Sequence, residues 1–188
     1  FALVSRGKKS KGVIIIGIEI EKEQLITDWD KKIIEGSKSF DNADRIILSK
    51  GIAEYFDVTM GDTLVLFGQG YHGMMAAGKY VANGIIDLKN PKLNEMTIFM
   101  DIESAQDYIW SENIATHLVI DKKEYYDENK IAEDVRNTIS SDYEVMTWKE
   151  ILPEFRDLYL GFLNERQVFY KYSHESYMWW LHHDGWKV

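Results

Sequence analysis

The hydrophobic and polar positions of this chain switch between two periods, and the switches mark out its elements. Gly12 to Ile20 (GVIIIGIEI) is a near-continuous apolar run rich in isoleucine, the pattern of a strand buried on both faces. Glu21 to Phe40 is polar and mixed, with Gly36-Ser37 as a turn. Asp44 to Leu48 is the next strand. Ser49 stands at the N-cap of the helix that follows, where its hydroxyl can accept from a backbone N–H. Ile52, Ala53 and Phe56 put one face of that helix inward. Met60-Gly61-Asp62 then supplies a turn, with glycine free to take a positive φ.

Thr63 to Phe67 and Lys79 to Ile86 read as a strand pair joined by the connection Gly68 to Gly78. Its four glycines predict mobility, and Met74 and Met75 predict adaptability to an apolar partner. Glu95 to Met100 is a further strand, and Asp101 caps a helix with Ala105, Tyr108 and Ile109 on its inner side. Ala115 to Ile120 returns as a strand. Asp127 opens the clearest helix, with Ile131, Val135 and Ile139 inward and Glu128, Lys130, Glu133 and Arg136 outward. Tyr125-Tyr126 reads as a packing pair at its entry. Tyr143 to Met146 is a short strand, and Thr147-Trp148-Lys149-Glu150 is a capping box for a helix that includes Pro153.

These elements sum to an α+β fold. Helix and strand alternate in Gly12–Ile20 and from Ala115 to about Tyr159, and a mainly β segment, Asp44 to Met100, is inserted between them. The alternation after residue 100 predicts a split βαβ arrangement. No internal repeat or low-complexity tract divides the chain, and Pro91 and Pro153 are its only prolines.

Composition narrows the function classes. The chain has 188 residues, enough for a real core, with 45% hydrophobic and 28% charged residues. A net charge of -9 opposes nucleic-acid binding, which needs a basic face for phosphates. Arg6, Lys8, Lys9 and Lys11 are read as a solvated end. The absence of cysteine excludes disulfide and thiolate–metal scaffolds and leaves the compartment open. No stretch approaches the roughly 20 apolar residues of a membrane span. The start lacks the pattern of a signal peptide and opens on Phe1, which suggests a processed or excised piece.

A family pattern runs through Val4 to Tyr159. Its landmarks are Gly17 after the isoleucine run, Leu48 to Ala53 before Val58–Leu64, Lys79 to Ile86 with Gly84, Met100 to Tyr108, and Val145 to Pro153 with its Thr147-Trp148 pair. In this order they resemble the extracytoplasmic domain of ABC-transporter permeases of the lipoprotein-releasing and macrolide-exporting type (the LolC/LolE and MacB group, with FtsX more distant). The resemblance implies a two-lobed α+β fold, a ferredoxin-like split βαβ lobe with an inserted β-rich lobe. Its boundaries would be residues 1–40 and 101–160 for the first lobe, with its N-terminal part incomplete, and 41–100 for the second. It also implies a periplasmic part of an inner-membrane protein that has no active site or cofactor. Such a domain couples transmembrane movement driven by a cytoplasmic ATPase to an envelope protein or lipoprotein cargo, alongside a partner permease subunit. The partner-contacting residues would be Gln69, Tyr71, His72, Met74 and Met75 in the Gly-rich connection. That connection lacks the Pro- and Arg-containing phrase with which one lipoprotein-releasing subunit grips its carrier. Residues 161–188 match nothing in the family pattern.

Asp28, Asp30, Glu103 and Asp107 could pair for acid–base work, but 31 acidic residues make such coincidences common. Gly68-x-Gly70-x-x-Gly73 has the letters of a dinucleotide fingerprint but lies between two strands, without the helix that binding requires. His174, His182, His183 and Asp184 cluster in sequence, yet adjacent His182 and His183 point apart in any regular element. They are read as surface histidines, and His72 and His117 as structural. Tyr170, Tyr172, Tyr177, Trp179, Trp180 and Trp186 form an aromatic end that either faces a partner or lipid or covers an apolar face. The alternative functions are a stand-alone α+β hydrolase or metal-dependent enzyme using the acidic and histidine-rich end, and a passive assembly module.

Overall fold

The computed structural model describes residues 1–122, 126–147 and 150, and the backbone of 167–172. The chain forms two compact units, 1–113 and 114–188, in a mixed fold of helices and strands.

The first unit contains β1 (Ala2–Arg6), β2 (Lys9–Ile18), α1 (Ile20–Ile26), α2 (Trp29–Lys32), β3 (Ile33–Gly36), β4 (Arg45–Ser49), α3 (Lys50–Phe56), β5 (Thr63–Gln69), β6 (Met75–Ile86), α4 (Pro91–Asn94), β7 (Thr97–Asp101) and α5 (Ile102–Ile109). Six of its strands close into a barrel in the order β1-β2-β7-β4-β6-β5, with β5 returning to pair with β1. The β2–β7 and β4–β6 pairs are parallel and the other four antiparallel. β3 adds to the C-terminal end of β6 (Gly36 opposite Gly84).

This closed barrel corrects the expected division of the chain. Residues 1–40 do not form a separate ferredoxin-like lobe beside a β-rich insertion at 41–100. β2 is paired along its length with β7 (Ile15 opposite Ile98) and β1 with β5, so strands from both segments share one sheet. Closure satisfies backbone groups that edge strands would expose.

Alternate residues of each barrel strand point inside. Val4, Val13, Leu64, Leu66, Ala76, Ala82, Ile46, Leu48, Ile98 and Met100 form the interior. β4 and β7 are buried on both faces, because Ile47 and Phe99 lie under an outer layer where Trp29 meets Phe99 edge-on at 5.1 Å. β2, expected to be buried on both faces, is only half-buried apart from Val13. Since β4 and β7 run antiparallel, the helices that follow them close opposite ends of the barrel. α3 contributes Ile52, Ala53 and Phe56 to the core, and α5 contributes Tyr108 with Ala105 and Ile109 beside it.

Local chemistry sets the helix starts. Asp101 accepts from the Glu103 N–H at 3.0 Å, as the sequence predicts. Ser49 occupies the N-cap of α3 but its hydroxyl does not cap it; it donates to the Asn94 carbonyl at 2.7 Å and ties β4 to α4. Arg6 holds the far end of α3, donating to the carbonyls of Phe56 and Asp57 at 2.8 Å and to Asp62 Oδ2 at 2.7 Å.

The second unit contains β8 (His117–Asp121), α6 (Glu128–Thr138), β9 (Tyr143–Thr147) and β10 (Gln167–Tyr172). β10 lies between β8 and β9 and is antiparallel to both, so α6 links two parallel strands with one strand between them. Asp127 caps α6 by accepting from Asn129 and Lys130 N–H groups at 2.8 and 3.2 Å. Ile131, Val135 and Ile139 pack with Ala132, Val145 and Ile120. Glu128, placed outward by the helical pattern, is buried. Tyr126 is exposed at the helix entry, and Tyr125, its expected packing partner, lies outside the described residues. In the Thr147–Glu150 box, the Glu150 carboxylate accepts from the Thr147 N–H at 2.7 Å and from Arg136 at 2.9 and 3.1 Å. Burial pushes the Glu150 carboxyl up, but these donors outweigh it and hold the group below its ordinary value. The helix expected around Pro153 lies outside the described residues.

Candidate functional site: the exposed tip of the β5–β6 hairpin

Each of the five residues singled out from the sequence, Gln69, Tyr71, His72, Met74 and Met75, lies at one hairpin tip. β5 and β6 pair from Thr63 opposite Val81 to Gln69 opposite Met75, so the connection is residues 70–74 rather than the predicted 68–78. Gly70 N–H donates to the Met74 carbonyl at 2.6 Å. A single 3-10 turn at Tyr71–Gly73 closes the loop, with His72 at φ 54 and Gly73 at φ 77. The Tyr71 and His72 rings lie 3.9 Å apart at 53°.

Two of the glycines here mark close approaches to α5. A Cβ on Gly68 would lie 2.7 Å from Tyr108 Oη, and one on Gly70 would lie 2.9 Å from the Ile109 carbonyl oxygen. The hairpin is pressed against the C-terminal end of α5, and glycine permits that approach. The tip is therefore held on the barrel, with Tyr80 and Tyr108 packed edge-on beneath it at 6.1 Å.

What the tip presents outward is two methionines beside polar Gln69 and His72. Met74 is 60% and Met75 80% exposed; Gln69 and His72 are exposed and Tyr71 is half-buried. Phe67 and Leu3 face each other across β5 and β1, and both are exposed while their neighbours Leu66 and Val4 fill the interior. Trp110, immediately after α5, is exposed beside this end of the barrel. Leu3, Phe67 and Trp110 were not picked out from the sequence. Strict alternation around Leu66 was the available signal for Phe67, whereas nothing in the pattern near Tyr108-Ile109 marked Trp110 as exposed.

Beneath the surface, burial pushes the Tyr108 phenol up to about 12, with Tyr80 adding to the shift. Burial, then Asp107, pushes Tyr80 above its ordinary value. Tyr108 Oη has no hydrogen-bond partner among the described residues.

The carboxylates considered for acid–base chemistry lie at exposed positions on two elements. Asp28 pairs with Lys31 at 2.8 Å and Asp30 with Lys38 at 3.0 Å, while Glu103 and Asp107 are exposed on α5. Asp87 is held well below the carboxylate range by the Lys89 ammonium, the Asn94 amide and the Lys89 N–H, which ties the turn after β6 to the end of α4. Asp62, held low by the Thr59 N–H and hydroxyl and then by Arg6, ties the turn before β5 to β1. These are structural clasps. The Gly68-x-Gly70-x-x-Gly73 letters form a hairpin turn with no helix after them. His117 Nδ1 lies 2.9 Å from Thr116 Oγ1. His174, His182, His183 and Asp184 lie outside the described residues. Among the described residues, no three His, Asp or Glu side chains converge as a metal site, and no helix is long and apolar enough to cross a membrane. No family model and no curated protein matches the chain.

Proposed function

We propose that this chain is the extracytoplasmic domain of an ABC-transporter permease subunit that acts in export or lipoprotein release. In this reading it has no catalytic step of its own. The barrel is the β-rich lobe that meets the partner or cargo, and the β8–α6–β9 segment, with parallel strands set one strand apart, belongs to the ferredoxin-like lobe. Movement of the transmembrane helices, driven by a cytoplasmic ATPase, would reach the partner through the barrel.

The observation that carries this reading is the exposed pair of methionines at a hairpin tip on a closed barrel. Met74 and Met75 stand out beside Phe67 and Leu3 on a closed barrel, with glycines locking the hairpin to α5. Methionine and aromatic side chains at such exposure favour a contact with another molecule, and the closed scaffold transmits force instead of absorbing it. The ordered landmarks from Gly17 to Val145 supply the family assignment.

The full-length protein tests it. A photo-crosslinker at Met75 should trap an envelope protein or lipoprotein in whole cells, with the yield changing when the associated ATPase is inactivated. A full-length protein that is not held in the membrane, or crosslinks indifferent to the ATPase, would refute the coupling role.

A further inference from the structure

Trp110 is unfavourable for folding in two respects. It ends α5 in the left-handed region at φ 59, where a side chain crowds its own carbonyl and Gly or Asn is the ordinary occupant. It also leaves its indole 68% exposed. The bond that ends the helix is its backbone N–H donating to the Asp107 carbonyl at 3.1 Å, which any residue other than proline could make. Asn would end α5 with less strain and without an exposed indole. A strained, exposed aromatic residue points to a use outside the fold.

Its neighbourhood indicates what it meets. Gly70 approaches the Ile109 carbonyl, so Trp110 begins at the hairpin tip. Thr63 to Gly78 contains no Lys, Arg, Asp or Glu. Leu93 to Ile120 contains no Lys or Arg, while exposed Asp107 and Glu112 flank Trp110. Lys79, further along β6, is the nearest cation in sequence after the tip. The surface is thus a methionine-rich tip without Lys, Arg, Asp or Glu, whose polar groups are Gln69 and His72, with an acidic border at α5.

We infer that Trp110 is the anchor of the hairpin contact surface, and that its partner is a protein segment with Lys or Arg set among aliphatic side chains. This rests on reading the hairpin as a partner contact. Aliphatic groups cover Met75 and Phe67, the cation stacks on the Trp110 indole, and Asp107 and Glu112 attract it. An anionic bilayer would meet the acidic border with like charge.

The full chain is titrated with short synthetic peptides that alternate Leu with Lys, Glu or Ser, following backbone amide resonances. The Leu/Lys peptide should shift Phe67, Met75 and Trp110, and Trp110→Asn should weaken its binding about tenfold. The same variant, alone, should raise Tm by about 2–4 °C. A lower Tm for both Trp110→Asn and Trp110→Gly would make the indole structural and overturn the assignment. Equal binding of the Leu/Glu peptide, or shifts produced instead by anionic phospholipid vesicles, would overturn the partner chemistry. If Met75→Gln weakens binding and Trp110→Asn does not, the surface stands and the anchor falls. If no peptide moves these resonances, the surface reading falls with it.

Discussion

Tyr108 shows how one residue can be both a packing element and a weak point. Its ring belongs to the barrel core and touches Tyr80, but its hydroxyl is buried under Gly68 without a hydrogen-bond partner among the described residues. A buried hydroxyl that makes no hydrogen bond loses its hydration for nothing, so Tyr108→Phe should stabilise the protein by about 1 kcal/mol in denaturant unfolding. The pH dependence follows from its raised value of about 12. The unfolded phenol ionises near 10, whereas the folded one resists, so this stability is fully present below pH 10 and is lost as pH rises towards 12. Tyr108→Phe should therefore flatten part of the alkaline fall in Tm. An unchanged alkaline limb would show that Tyr80 or other groups dominate it.

At the scale of elements, close helix–strand approach does what long hydrophobic contacts do elsewhere. α5 lies against β2 at Gly17, where a Cβ would come within 2.5 Å of Ala105 Cβ. Gly17→Ala should cost about 1–3 kcal/mol by forcing α5 outward, measured as a lower denaturant midpoint. Because α5 also supports the hairpin through Gly70, the variant should raise hydrogen exchange at 69–75 as well. Loss of stability without faster exchange there would separate the helix from the hairpin. Gly17 was legible as a landmark in the isoleucine run, but its reason was not. The reason is a helix that starts over 80 residues later in the chain.

For the whole molecule, barrel closure joins segments distant in sequence, and all six barrel strands belong to the first unit. β1 closes on β5 and β2 on β7 within 1–113. A chain ending at Asn113 should therefore unfold in a single cooperative transition, with near-UV dichroism from Trp29 packed on Phe99 retained. A gradual transition in that fragment would mean the barrel depends on the second unit. The mixed parallel and antiparallel pairing also implies high contact order, hence folding slower than that of a helical chain of this length.

The sequence by itself determined the local features. Periodicity and capping chemistry placed β4, α3, β5, β6, β7, α5, α6 and β9 close to where they stand, and Met74-Met75 was visible as part of the connection between two paired strands. Those features depend on neighbours a few residues apart, which a single chain displays directly. Only the tertiary structure decided which strands pair, and it joined 1–40 with 41–100 in one barrel. It also set Gly68 and Gly70 of the hairpin closely against α5, and brought Leu3, Phe67 and Trp110 to its surroundings. Such outcomes depend on packing between residues far apart in the chain, where one apolar run can pair with several others. Burial and closure select among those pairings.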